Sequence, residues 1–194
     1  MNQQLSPGVL MAAYAHGIFP MADEDENLLW FSPDPRAVIE LERFHVAKTL
    51  GQLYRQGRFV LTVNRAFGEV IACCSDRAEG TWISQDIMEA YLRLHRLGHA
   101  HSVEAWSEGE LAGGLYGLAV GTVFCGESMF HRRRDASKVA LVHLVERMRL
   151  RGFELLDIQF MTEHLARFGA VEIPRKQYLR RLSDGLERPR RFAD

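Results

Sequence analysis

Hydrophobic and polar positions along this chain change period several times. In Leu155-Leu156-Asp157-Ile158-Gln159-Phe160 they alternate, which predicts a strand with Leu156, Ile158 and Phe160 on one face and Asp157 and Gln159 on the other. Ser6-Pro7 followed by Val9, Leu10, Ala13 and Tyr14, then Gly17, predicts a short helix with a serine cap, a first-turn proline and a closing glycine. Asp23-Glu24-Asp25-Glu26-Asn27 reads as a solvated loop, and Pro33-Asp34-Pro35 as a stiff turn. Further on, helices are expected around 46–54 and 67–73, then from the Ser84 cap through Ile87, Met88, Tyr91 and Leu94 to Gly98. Others are expected over 136–150, 162–168 and 175–182. Strands are expected over 59–63, 101–106, 111–118, 122–130 and 171–173, with a hairpin-like turn at Ser107-Glu108-Gly109-Glu110.

This order predicts an α/β fold of the α+β kind, a mixed sheet with helices on both faces. The first forty-odd residues read as a small N-terminal lobe, 1–44, and the remainder, 45–194, as the main domain. With 194 residues, 47% apolar and 25% charged, the chain can bury one sizeable core. No apolar run approaches bilayer length, and Met1-Asn2-Gln3-Gln4 lacks the order of a signal peptide, so a cytoplasmic protein is expected. Monomer is the default expectation.

Charge is unevenly spread. Residues 1–130 carry 9 Lys/Arg against 16 Asp/Glu, and residues 131–194 carry 15 against 9. The basic third, opened by Arg132-Arg133-Arg134, could face a polyanion, although solvated helix faces explain most such runs.

Candidate chemistry narrows the classes. Cys73, Cys74 and Cys125 form no CxxC, and His99-Ala100-His101 has no HExxH companion, so neither a metal nor a cofactor is expected. No GxSxG elbow is present, and Cys125 has no persuasive base. The junction His131–Lys138 contains no glycine, which argues against a phosphate loop for coenzyme A but leaves room for phosphates of a larger ligand. Two-residue spacing sets Glu127 beside Cys125 and Met129, where a carboxylate needs a cation: a substrate ammonium or guanidinium, or an internal Arg or Lys. Asp157 and Gln159 either cap nearby backbone or hold each other ready for a polar reaction.

Several segments together resemble the leucyl/phenylalanyl-tRNA–protein transferase family: Gly17–Pro20, Trp30–Ala37, Glu79–Ile83, Leu97–Ser102, Phe124–Phe130, Ala136–Lys138 and Asp157–Gln159. They run in the family's order from about Tyr14 to Tyr178. The resemblance implies a GNAT-like acyltransferase domain behind an N-terminal lobe. It also implies transfer of Leu or Phe, with Met a third option, from charged tRNA to the α-amino group of proteins that begin with Lys or Arg, marking them for degradation. Asp157 and Gln159 match the family's catalytic pair, in which the Asp polarises the Gln amide and the Gln carbonyl draws a proton from the amine. Trp82, Tyr91, Phe124 and Met129 match its pocket for the transferred side chain, and Glu127 is assigned to the cationic end of the acceptor. Lys48 and Arg55, with Arg132, Arg133 and Arg134, are assigned to tRNA contact.

Three departures stand out. Roughly thirty leading residues of longer members are lacking, which implies a smaller lobe. Met21 stands where an aromatic wall is expected, and Gln52 and Gln56 stand where basic residues are. A tRNA-binding module without catalysis and an acyl-coenzyme A acetyltransferase remain the alternative readings.

Overall fold

The computed structural model describes residues 5–78 and 80–193. Met1–Gln4, read above for a signal, and Glu79 of a matching segment lie outside the described residues.

Helix α1 (Pro7–Ala15) starts as expected, with Ser6 Oγ accepting from Val9 N, and Gly17 closes it at φ +72. Two short strands follow that the sequence reading did not foresee, β1 (Phe19–Ala22) and β2 (Leu28–Phe31), joined as an antiparallel hairpin. A third unforeseen strand, β3 (Arg36–Glu40), enters the main sheet. The boundary expected at 44 therefore falls after a strand that is hydrogen-bonded on both sides by the larger domain.

Next come α2 (Lys48–Arg55), β4 (Val60–Val63), α3 (Phe67–Ser75) and α4 (Gln85–Arg96). They are followed by β5 (Ala100–Ser107), β6 (Glu110–Val120), β7 (Val123–His131), α5 (Ala136–Leu150) and β8 (Leu155–Gln159). The chain ends with α6 (Glu163–Ala166), β9 (Val171–Ile173) and α7 (Arg175–Leu186). The seven-stranded sheet runs β4-β5-β6-β7-β8-β3-β9 and is antiparallel except between β7 and β8. It is thus a mixed α/β fold with a mostly antiparallel sheet.

Helices cover both faces. On one, α5 packs across β5, β6 and β7 with α2 against it, and Leu141, Leu144, Phe124 and Leu156 belong to that core. On the other, α1, α3, α4 and α7 enclose Tyr14, Val70, Tyr91, Cys125 and Tyr178. Burial of these two apolar layers is the main driving force for the fold.

Two local features position the site. First, β7 pairs with β8 only over Val123–Cys125, facing Leu155–Asp157, and then continues to His131 paired with β6 alone. Second, Tyr116 lies opposite Ser128 while Gly117 lies opposite Gly126, so Glu127 is the extra residue of a β-bulge. A Cβ on Gly117 would come within 2.2 Å of the Cys125 carbonyl oxygen, so the close approach needs glycine.

Candidate active site

The bulge redirects Glu127. It is buried on the same face as Cys125 but not with Met129, which belongs to the α5 face. This corrects the two-residue reading of β7, and the cause is the inserted residue. Among the described residues no Arg or Lys meets the carboxylate. Instead the Tyr14 hydroxyl donates to Oε1 at 2.7 Å, the Gln159 side-chain amide donates to the same oxygen at 3.0 Å, and Tyr91 contacts Oε2 at 3.1 Å. The Tyr14 and Tyr91 hydroxyls also contact each other. Burial pushes the Glu127 carboxyl up to about 7, against the lowering effect of its hydrogen bonds to Tyr14, Gln159 and Tyr91.

Asp157 is held by Arg36 and Tyr178 and not by the Gln159 side chain. Its Oδ1 accepts from Arg36 Nε at 2.9 Å and from the backbone N–H of Gln159 at 3.0 Å. Its Oδ2 accepts from Arg36 Nη2 at 2.7 Å and from the Tyr178 hydroxyl at 2.8 Å. Arg36 also donates to the Gly17 carbonyl at 3.2 Å, and its guanidinium lies over the rings of Phe19 and Tyr178 at 4.8 and 4.6 Å. Burial opposes the Arg36 charge, but the hydrogen bonds and charge of Asp157 more than offset it and raise the Arg36 pKa. Asp157 thus reaches Gln159 through its main-chain N–H, with no hydrogen bond to the side-chain amide. That amide donates to Glu127.

Gln159 itself has φ +66 at the end of β8. The turn sends Phe160 away from Leu156 and Ile158, to meet Phe19 and Phe31 of the hairpin edge-on at 5.7 and 6.5 Å. The alternation expected through Phe160 thus stops one residue early. With its Nε2 on Glu127, Gln159 keeps Oε1 without a hydrogen-bond donor among the described residues.

On the α5 face, where β7 and β8 diverge, lies an apolar cavity of about 100 Å³. Met129, Leu141, Leu144, Leu156, Ile158 and Leu165 contribute to its wall, and Glu127 borders it. The residues expected to wall one pocket are not all brought to it. Phe124 is fully buried against Phe153 and Phe192, and Tyr91 stands behind Glu127 in the opposite core. Trp82 lines a separate groove of about 910 Å³ together with Asp23, Glu24, Glu26 and Gln85.

Of the basic residues, Lys48 and Arg55 are exposed at the two ends of α2. Arg132 and Arg134 line a basin of about 430 Å³ with His131, Lys138 and His164, and Met129 is shared between that basin and the apolar cavity. Arg133 points elsewhere, pairing with Glu108 at 2.7 Å. Cys125 is buried, and burial followed by the nearby Asp157 pushes its thiol well up, which removes it as a thiolate nucleophile.

A family profile described as leucyl/phenylalanyl-tRNA protein transferase matches residues 38–183, and one for that family's N-terminal domain matches residues 3–34. The chain belongs to this family. The leucyl/phenylalanyl-tRNA–protein transferase of Herpetosiphon aurantiacus is 54% identical over 188 residues, covering 96% of this chain and 97% of its own. That of Rubrobacter xylanophilus is 52% identical over 191 residues, covering 98% and 100%. Among solved structures, a functionally unknown conserved protein from Staphylococcus epidermidis aligns with TM-score 0.50 and 10% identity over 89% of this chain and 66% of that one, a likeness of fold alone.

In this member of the leucyl/phenylalanyl-tRNA–protein transferase family, Tyr14, Arg36 and Tyr178 were missed by the sequence reading. A signal existed for two of them: Tyr14 continues the Leu10 face of α1, and Ala37-Val38-Ile39 after Pro35 is a short apolar run that could carry Arg36 at a strand start. Among the described residues no group of three or more His, Cys, Asp or Glu could hold a metal ion, and no helix is long and apolar enough to cross a membrane.

Proposed function

We propose that this chain, as a cytoplasmic monomer, moves a leucyl or phenylalanyl group, with methionyl as a third substrate, from its tRNA ester to the α-amino group of proteins that begin with Lys or Arg. The addition marks those proteins for degradation. Family membership across residues 3–34 and 38–183 supports the reaction. The single observation that carries the site assignment is the apolar cavity of about 100 Å³ in the β7–β8 cleft, bordered by a carboxyl group that holds Gln159.

In this reading the cavity takes the aliphatic or aromatic side chain, and flexible Met129 adapts to either shape. The α-amine attacks the ester carbonyl carbon, a C–N bond forms, the bond to the ribose oxygen breaks, and one amine proton ends on that oxygen. Gln159 Oε1 accepts a hydrogen bond from the attacking N–H and holds the nitrogen in line. An amide is a weak base, so positioning contributes more than proton abstraction. Asp157 holds the Gln159 main chain.

Exposed Arg132 and Arg134, with Lys138, suit the phosphates next to the esterified end, and Lys48 and Arg55 suit the acceptor stem beyond. The acidic groove of Asp23, Glu24 and Glu26 beside Trp82 supports a cationic acceptor end. Glu127 is not carried forward as the acceptor's partner, because tyrosines and Gln159 already occupy its oxygens. Divergence of the two parallel strands supports a GNAT-like reading of the sheet.

The test is incubation with labelled leucyl-, phenylalanyl- and methionyl-tRNA and a peptide beginning with Arg. Labelled peptide is expected with the first two; no transfer from any of the three would refute the proposal.

A further inference from the structure

Proton counting around Glu127 leads beyond this reading. Three contacts close a triangle: Tyr14 with Tyr91, Tyr14 with Oε1, and Tyr91 with Oε2. Two hydroxyls supply two protons. With an ionised carboxylate, one side of the triangle is left as two oxygens facing each other with no hydrogen between them. A third proton, on Oε2 of a neutral carboxyl, completes the ring: Oε2–H to Tyr91, Tyr91 to Tyr14, Tyr14 to Oε1. In that arrangement Oε1 still accepts from the Gln159 amide.

We infer that Glu127, held in its neutral form by the ring with Tyr14 and Tyr91, is the positioning residue that fixes the Gln159 side-chain amide and points its carbonyl oxygen at the attacking amine. This rests on the assignment of Gln159 made above. The surroundings support it. The titratable groups facing Glu127 are Tyr14 of α1, Tyr91 of α4, Tyr116 of β6, Cys125 of its own strand and Asp157 of β8, none of them a cation. The nearby guanidiniums are engaged elsewhere: Arg36 on Asp157, and Arg77 on Ser128 Oγ at 2.7 Å. Burial raises the Glu127 pKa to about 7, so the proton stays on through mildly acidic conditions.

Glutamine is the natural probe, since its amide sets an acceptor oxygen beside a donor nitrogen as a neutral carboxyl sets C=O beside O–H, with one N–H to spare. Steady-state transfer from leucyl-tRNA to a peptide beginning with Arg is measured for wild type, E127A, E127Q and Q159A. E127A is expected to lower kcat by about a hundredfold with little change in KM for leucyl-tRNA, and E127Q to recover most of that loss. The ratio of wild-type to E127Q rate should fall about tenfold between about pH 6 and about pH 8, as wild type alone loses its proton. This ratio cancels the titration of the amine substrate.

E127A at wild-type rate beside a slow Q159A would overturn only the present inference. Q159A at wild-type rate would overturn the Gln159 assignment and this inference with it. E127Q as slow as E127A would mean that the ionised carboxylate is the working form, and a ratio flat with pH would mean that loss of a proton at Glu127 does not govern the rate; either would refute the proposal. Should E127A not fold, the infrared band of a protonated carboxyl decides: it is expected in wild type at about pH 6 and missing in E127Q, and no difference between the two would refute the proposal.

Discussion

Arg36 grips Asp157 with two parallel hydrogen bonds, Nε to Oδ1 at 2.9 Å and Nη2 to Oδ2 at 2.7 Å, and both side chains are out of contact with solvent. Removing either partner leaves the other as an uncompensated buried charge, which costs about 3–5 kcal/mol. Arg36→Ala and Asp157→Ala should therefore both shift the urea midpoint sharply downward, and Arg36→Lys should restore only part because an ammonium cannot make the bidentate contact. Equal urea midpoints for Arg36→Ala and wild type would contradict this.

Glu127 should make stability depend on pH in a particular direction. The folded protein keeps the proton up to about 7, whereas the unfolded chain releases it near the ordinary value of 4.5. Between those values the folded state binds more protons, so stability falls as pH rises, by up to about 3 kcal/mol. Glu127→Gln removes that dependence. Denaturation curves at about pH 5 and about pH 8 should show the variant gaining on wild type as pH rises.

Gly126 faces Leu156 across the cleft, and a Cβ there would meet Leu156 Cδ1 at 3.6 Å and the Asp157 carbonyl at 3.5 Å, which is ordinary contact. Gly126→Ala should fold normally and take space from the cavity. Its kcat/KM should fall more for phenylalanyl- than for leucyl-tRNA, shifting the preference by about tenfold.

Gly117→Ala is the contrasting case. The added carbon would sit 2.2 Å from a main-chain oxygen and 2.5 Å from the Phe124 ring, neither of which can swing aside. A loss of about 3 kcal/mol in chemical denaturation is expected, together with slower transfer, because the bulge that turns Glu127 inward is disturbed.

Much of the scaffold was legible because its signals were local and regular. The α5 helix runs over the expected Ala136–Leu150, and the hairpin at Ser107–Glu110 joins β5 and β6 as expected. The three N-terminal strands were not seen, since each has five residues or fewer and is separated from the next by acidic or proline-rich turns. Within the site, identities were legible and relationships were not. Nothing in Phe124–Phe130 announces an inserted residue at Glu127, because a bulge is set by pairing with β6. A left-handed turn at Gln159 is equally hidden, since glutamine has no intrinsic preference for it. Arg36 reads as surface by type, and only its tertiary partner, 121 positions later, makes it core.

Because Tyr14 and Arg36 both come from the first forty residues, the candidate site is stitched from both ends of the polypeptide. Residues 45–194 expressed alone would carry an acid without its counter-ion and a carboxyl without its ring. Such a fragment would lack part of the buried polar cluster, so insertions and deletions in the leading segment are constrained by the packing of the candidate site as much as by that of the core.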